Sequence, residues 1–342
     1  MKARTAALLV AGLVILALLP RTLGGGFAMT VFILICLYSS LALGLQLLMG
    51  YAGQISLAQG AFFGIGAYAY GLLAVKLNIP PWPALALAAL VNAALAYLIG
   101  KPILRLAGHQ LALATLALAI IVGSLFNQVV DLTGGPQGLG GIPNLAVGSF
   151  AFNSDLRNAY LAEISAVGML LVAHNMMRSR IGRALRALSS SESAASSLGI
   201  DVAGHKLHIF ALSAVMASIS GSLYGAYLTF ISPDAFTLFT SVEILLMAAV
   251  GGIATVWGAP LGVAVIFLLR EGLDAVSGGL PNGSQTVLQM IVFGLILAGI
   301  MIVLPDGLTR GLLNLWQLRR FRQSEAGKAE PAAQPAPLSE LE

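Results

Sequence analysis

Apolar residues along this chain fall into long runs, several of them about 20 residues, the length a helix needs to cross the hydrocarbon core of a bilayer. Ten runs are predicted as spanning helices: 6–20, 27–49, 55–76, 82–99, 109–130, 158–177, 206–231, 239–256, 258–275 and 286–304. Two longer polar stretches separate them, 131–157, rich in Gly and Pro, and 178–205. After Pro305 the chain turns Ala-, Pro-, Gln- and Glu-rich, too poor in apolar residues to bury a core. The expected organisation is an all-α, polytopic transmembrane domain over 1–305 and a tail over 306–342, disordered at its end.

Composition narrows this further. Hydrophobic residues make up 58% of the 342 and charged residues only 9%, whereas soluble domains carry roughly 25% charged residues. This chain cannot cover a water-facing surface, which excludes a soluble enzyme. The 39 glycines suit closely packed spans. The net charge of +4 does not point to nucleic acid, because the basic residues lie between the apolar runs, where they set topology. The single cysteine, Cys36, sits inside an apolar run, so neither an intrachain disulfide nor a cysteine-based metal cluster is expected. The first run could be a signal peptide, but Pro20–Gly24 lacks a small-x-small cleavage pattern, and a retained span is expected.

Basic residues fix an orientation. Lys2 and Arg4 start the chain, Lys101 and Arg105 follow the fourth run, Arg178, Arg180, Arg183, Arg186 and Lys206 flank the 178–205 stretch, and Arg319, Arg320 and Arg322 follow the last run. Placing all of them in the cytoplasm requires an even number of spans between each group, and the ten runs satisfy this. Both termini and the 178–205 stretch are then cytoplasmic, and 131–157 is external.

Enzyme chemistry has little to build on. The chain has no Gly-x4-Gly-Lys-Ser/Thr phosphate loop and no His-Glu-x-x-His. His205 and His208 share a helix face but have no third ligand, so no metal site is expected. Ser189–Ser191 read as loop or helix-start residues. Ionisable residues within spans are costly in lipid and therefore informative. Glu163 and Glu243 are the best cases, with Arg270, Glu271 and Asp274 near a span end. Small residues recur four apart at Gly60 and Gly64, Gly221 and Gly225, Gly258 and Gly262, a spacing that lets helix backbones meet closely.

Two segments carry the functional reading. Gly50–Gly60 is Gly-rich and holds Gln54, Ser56 and Gln59, so the helix is expected to be broken or re-entrant there. Irregular backbone at membrane depth is tolerated where it is protein-buried or lines a wet cavity. Gln54, Ser56, Gln59, Gln110, Thr115 and Glu243 are the candidate translocation-path residues. Because the spans offer few buried charges for a zwitterion, this path is expected to be wet and weakly interacting. The 178–205 stretch favours a short helix ended by Gly199, with Leu185, Leu188 and Leu198 offered to a partner. A helix lying on anionic lipid is the competing reading.

Three blocks resemble a known family. The first is Gly53-Gln54-Ile55-Ser56-Leu57 with 61–68. The second is Leu132-Thr133-Gly134-Gly135-Pro136-Gln137-Gly138-Leu139 with Gly141-Ile142-Pro143. The third runs from Gly182-Arg183-Ala184-Leu185-Arg186-Ala187 through Glu192, Ala194, Ala195, Gly199 and Ile200 to Ile231-Ser232-Pro233 and Gly251-Gly252. Together they resemble the bacterial ABC-transporter permeases for branched-chain amino acids, of the LivM type, over about 50–305. The resemblance implies a type II-importer-like permease subunit of a bacterial inner membrane, paired with a second homologous permease subunit. It further implies two separate ABC ATPase subunits, an extracytoplasmic substrate-binding protein that delivers aliphatic amino acids, and no cofactor. Arg183, Arg186, Glu192, Ala194, Ala195 and Gly199 match the segment that couples to the ATPase. The chain departs from the family pattern at Ser189–Ser191, at His109-Gln110-Leu111, at Ile120 and at Ala254. The other readings are a permease of this architecture for urea, short amides or sugars, and an ATP-independent transporter or channel.

Overall fold

The computed structural model describes residues 20–22, 24–106, 108–148, 150–253 and 255–277, the last four by backbone alone, with scattered positions from 292 to 309. The first expected span and the tail lie outside these residues, and the tenth span is described only at isolated helical positions.

Every expected span from the second to the ninth falls on a helix. These are α1 (Phe27–Ala52), α2 (Gln59–Val75), α3 (Pro81–Ile103), α4 (His109–Gln128), α6 (Asp155–Arg178), α9 (Val202–Leu228), α10 (Leu238–Gly251) and α11 (Gly258–Ser277). A one-turn helix α5 (Val130–Thr133) follows α4, and α7 (Arg180–Ser190) and α8 (Glu192–Ser197) occupy the 178–205 stretch. Helices α1, α3, α4, α6 and α9 are long and apolar enough to cross a membrane, while α2 and α10 are shorter apolar helices.

Two of these helices fall short of the expected span by four residues or more at one end. The third span begins at Gln59 rather than 55, and the eighth ends at Gly251 rather than 256. In both places the residues remain apolar enough to continue a helix, but glycines turn the backbone. Gly53 takes φ 64° and closes α1 with its N–H on the Leu48 carbonyl. Gly252, at φ 105°, closes α10.

Helices α1, α2 and α9 form the centre. α3 lies against them through a stripe of small residues one turn apart, Ala84, Ala88, Asn92, Ala96 and Gly100. It turns Leu87, Leu90 and Leu98 outward, as α4 does Leu113, Ile120 and Ile121 and α6 does Ile164, Leu171 and Val172. Such apolar outer faces suit contact with lipid. The small-residue spacings mark real crossings. A Cβ on Gly221 would come 2.1 Å from the Phe63 carbonyl oxygen, and one on Gly262 2.0 Å from that of Met247. An aromatic cluster of Tyr38, Phe63, Tyr224, Phe236 and Phe267 fills the space between α1, α2, α9 and α11.

Most of the 131–157 stretch folds back on the helices. Strand β1 (Leu139–Gly140) pairs antiparallel with β4 (Phe230–Ile231), which follows α9, and β2 (Ala146–Val147) pairs with β3 (Phe150–Ala151). Tyr70 donates to the Pro143 carbonyl at 2.9 Å, and Ile142 and Leu145 are buried.

Candidate functional site

The centre of the molecule is built on two helix interruptions. The first, residues 53–58, separates α1 from α2 and faces inward at alternate positions. Gln54, Ser56 and Ala58 are buried while Gly53 and Ile55 are exposed. The backbone donors freed by the break find side-chain partners, two of them on other helices. Leu57 N–H donates to Thr115 Oγ1 of α4 at 3.0 Å, Ala58 N–H to Ser56 Oγ at 3.3 Å, and Gly60 N–H to Ser241 Oγ of α10 at 2.9 Å. Gln59 ties three helices together. Its Nε2 donates to the Leu41 carbonyl of α1 at 3.1 Å, and its Oε1 accepts from Ser213 Oγ of α9 at 3.0 Å. Gln54 is buried, yet neither end of its amide meets a protein partner among the described residues. A buried amide in that state suits a site where water or a ligand arrives.

The second interruption lies between α10 and α11 and is bridged from α1. Gln46 Nε2 donates to the Gly252 carbonyl at 2.6 Å, and its Oε1 accepts from Ala259 N–H at 3.2 Å. One fully buried side chain thus satisfies the end of one helix and the start of the next. The last turn of α1, just before the first interruption, touches the second, since a Cβ on Gly50 would lie 1.9 Å from the Ile253 carbonyl oxygen.

Gln54, Ser56, Gln59 and Thr115 are all buried at or beside the first interruption. Gln110 lies exposed in the first turn of α4. Glu243 sits two residues beyond Ser241, on roughly the opposite face of α10, and pairs with Arg270 Nη1 of α11 at 3.4 Å. Glu163 is buried with Oε2 unpartnered among the described residues. Sequence reasoning missed Gln46 and Ser241, and named Ser213 only within the family resemblance, without a role in the site. Their only signal is a lone polar residue in an apolar run, which any interhelical hydrogen bond produces.

The 178–205 stretch is an elbow of two helices rather than one. The chain breaks at Ser191, whose Oγ accepts from Ala194 N–H at 3.3 Å and caps α8. Ser189 and Ser190 both donate to the Arg186 carbonyl at 3.0 Å. Leu185 and Leu188 are buried in the protein, against the expectation that they face a partner, because the apolar stripe of α7 faces the bundle. Leu198 alone of the three is open, at 80% exposure. Gly199 ends the elbow at φ 79° with open space around its Cα. Ala195 anchors α8, Arg186 Nη1 donates to the Met177 carbonyl of α6 at 2.9 Å, and Glu192 pairs with Lys206 of α9. Arg183 and Ala194 are exposed. His205 Nδ1 faces the Asp201 carbonyl and His208 Nδ1 that of Gly204, one turn back in each case.

Residues 7–302 match the family described as branched-chain amino acid transport system / permease component. The chain belongs to that family. The permease is 33% identical over 258 residues to the high-affinity branched-chain amino acid transport system permease protein LivM of Salmonella typhimurium, a match covering 69% of this chain and 61% of that protein. Against LivM of Escherichia coli the identity is 30% over 319 residues, covering 86% of this chain and 72% of that protein. The probable branched-chain amino acid transport permease protein LivH of Methanocaldococcus jannaschii is 25% identical over 79% of this chain and 87% of its own length. The permease thus spans less than two thirds of the Salmonella relative. No solved structure matches it. Family and apolar helices together make this a multi-pass helical membrane protein, placed among transport permeases rather than enzymes.

Proposed function

We propose that this permease is one of two related membrane subunits of an ATP-driven importer. It takes branched-chain or related aliphatic amino acids from an extracytoplasmic binding protein and passes them to the cytoplasm. Two separate ATPase subunits dock on cytoplasmic loops of the permease pair, and the α7–α8 elbow is this chain's docking segment. The observation that carries the coupling role is the way this elbow is held. Ala195 and Leu188 root it in the bundle, Arg186 holds the end of α6, and the Glu192–Lys206 pair holds the start of α9. Force on the exposed surface from Ser191 to Gly199 is therefore passed to two spanning helices.

Gly199→Val tests this. A β-branched residue at a left-handed position is strained by about 1–3 kcal/mol, enough to change a coupling equilibrium by roughly 5- to 150-fold. Nothing clashes there, so assembly should persist while substrate-stimulated ATP hydrolysis falls about tenfold. Gly199→Asn, which tolerates this conformation, should keep most of it. A normal stimulated rate in the assembled Gly199→Val complex counts against the coupling role.

The same reading has ten spans, both termini in the cytoplasm, the elbow inside and the 131–157 stretch outside. Single cysteines at Gln137 and at Ser191, in a Cys36→Ala background, should react with an impermeant thiol reagent from opposite sides of the membrane. Reaction of both from one side refutes this topology.

A further inference from the structure

Two ion pairs are present among the described residues, and they differ in setting. Lys206–Glu192 belongs to the elbow. Arg270–Glu243 lies within the helical bundle, between α10 and α11. Its depth follows from helix geometry. Along α11, ~18 Å of helix separates Arg270 from Gly258 and ~10 Å separates it from Ser277. One turn from Arg270, the Phe267 ring meets the Tyr38 ring edge-on at 5.4 Å. Tyr38 itself is ~16 Å from the Phe27 end of α1 and ~21 Å from its Ala52 end. The pair therefore sits near the middle of the bundle's height.

At that depth both side chains remain open. Arg270 is 61% exposed and Glu243 30%. An exposed guanidinium beside a half-buried carboxylate is costly against acyl chains at mid-height, because neither finds enough partners there. The face they share is therefore wet or protein-covered. The pair is also loose, since 3.4 Å is long beside the ~2.7–2.9 Å of a well-formed charge-assisted bond. Each group keeps hydrogen-bonding capacity to spare. Phe239, four residues before Glu243 and so on the same face of α10, is 84% exposed.

We propose that Glu243, Arg270 and Phe239 line the aqueous translocation path and form a transient station for a zwitterionic aliphatic amino acid. The Glu243 carboxylate takes the ammonium group, the Arg270 guanidinium takes the carboxylate, and Phe239 flanks the aliphatic side chain. Because the two charges pair with each other when the substrate leaves, neither is stranded and the station empties readily. A neutral pair also offers no net attraction to simple cations or anions. The station joins two charges that the sequence reading named separately, Glu243 as a path residue and Arg270 near a span end. The ligand rests on the importer reading above. The wet face does not.

The test uses the complete transporter in liposomes. In a Cys36→Ala background, Phe239→Cys should react with a charged, impermeant thiosulfonate at least tenfold faster than Ile164→Cys, a 69% exposed position on the outer face of α6. Delivery of leucine by the binding protein should slow that reaction. Glu243→Gln and Arg270→Gln should each lower leucine transport at least tenfold at unchanged melting temperature, and Glu243→Asp should recover most of it. Equal reaction rates at Phe239→Cys and Ile164→Cys would overturn the wet face. Normal transport in the Glu243→Gln/Arg270→Gln double variant would show a purely structural pair and overturn the station. A wild-type complex that moves no aliphatic amino acid would overturn the importer reading and the ligand with it, while the labelling contrast still judges the wet face.

Discussion

Gly66→Val should leave almost no folded permease in the membrane. A Cβ at Gly66 would stand 2.4 Å from Ser218 Cα and 2.6 Å from the Ser218 carbonyl oxygen, both backbone atoms of α9 that cannot swing aside. The crossing is tight from the other side as well, where a Cβ on Gly221 would meet the Phe63 carbonyl at 2.1 Å. Ser222 Oγ donates to the Gly66 carbonyl at 3.2 Å, so separating the helices also breaks that bond. Overpacking a core with extra methylenes already costs about 1–3 kcal/mol, and a backbone-on-backbone clash should exceed that range. Yield of monodisperse protein and its melting temperature in detergent report the effect. Gly123→Val on α4, where nothing lies within 4 Å of the added Cβ, is the control and should behave as wild type. A normal melting temperature for Gly66→Val would show that the two helices do not meet as described.

Gln46→Leu should produce the second large loss. Leucine fills most of the volume of the glutamine but removes its 2.6 Å bond to the Gly252 carbonyl and its 3.2 Å bond from Ala259 N–H. The buried Ala259 N–H is then orphaned, at a cost of about 1–3 kcal/mol, while the Gly252 carbonyl keeps its 3.3 Å bond from Thr255 N–H. Interhelical hydrogen bonds in membranes are often weaker, near 0.6 kcal/mol, because the separated helices find other partners. Here the Ala259 N–H sits in the first turn of α11, where no intrahelical partner exists, and a loss of about 1–3 kcal/mol is expected. Gln46→Glu keeps an acceptor for Ala259 but buries a carboxylate against the Gly252 carbonyl, so its loss should match or exceed that of Gln46→Leu. Thermal unfolding of the three proteins gives the ranking, and a Gln46→Leu protein as stable as wild type would contradict the bridging role.

The segment between α1 and α2 shows how far a sequence carries such a reading. Its glycines and its Gln54, Ser56 and Gln59 announce a break, since irregular backbone in an apolar setting needs polar partners. They do not reveal the partners, because Thr115 lies 58 residues from Leu57 and Ser241 lies 181 from Gly60. The second break is legible as the boundary between the eighth and ninth runs, but its bridge is not, because the bridging group is one glutamine in an apolar run. In the elbow, Gly199 marks the end correctly because a left-handed turn favours glycine. The serine pattern was legible as capping chemistry but not as the point where one helix becomes two.

The sequence by itself determined that this chain is a multi-pass helical membrane protein, where most of its helices lie, and which family it belongs to. Those follow from run length, the scarcity of charge and short local motifs, all of which are written residue by residue. Only the tertiary structure decided which polar residues meet: Gln59 between α1 and α9, Gln46 across the second break, Arg270 against Glu243, and Leu185 and Leu188 turned inward. The physical reason is that an apolar helix can rotate about its axis without changing its sequence pattern. Only the neighbours packed around it fix which face, and so which lone polar side chain, finds a partner.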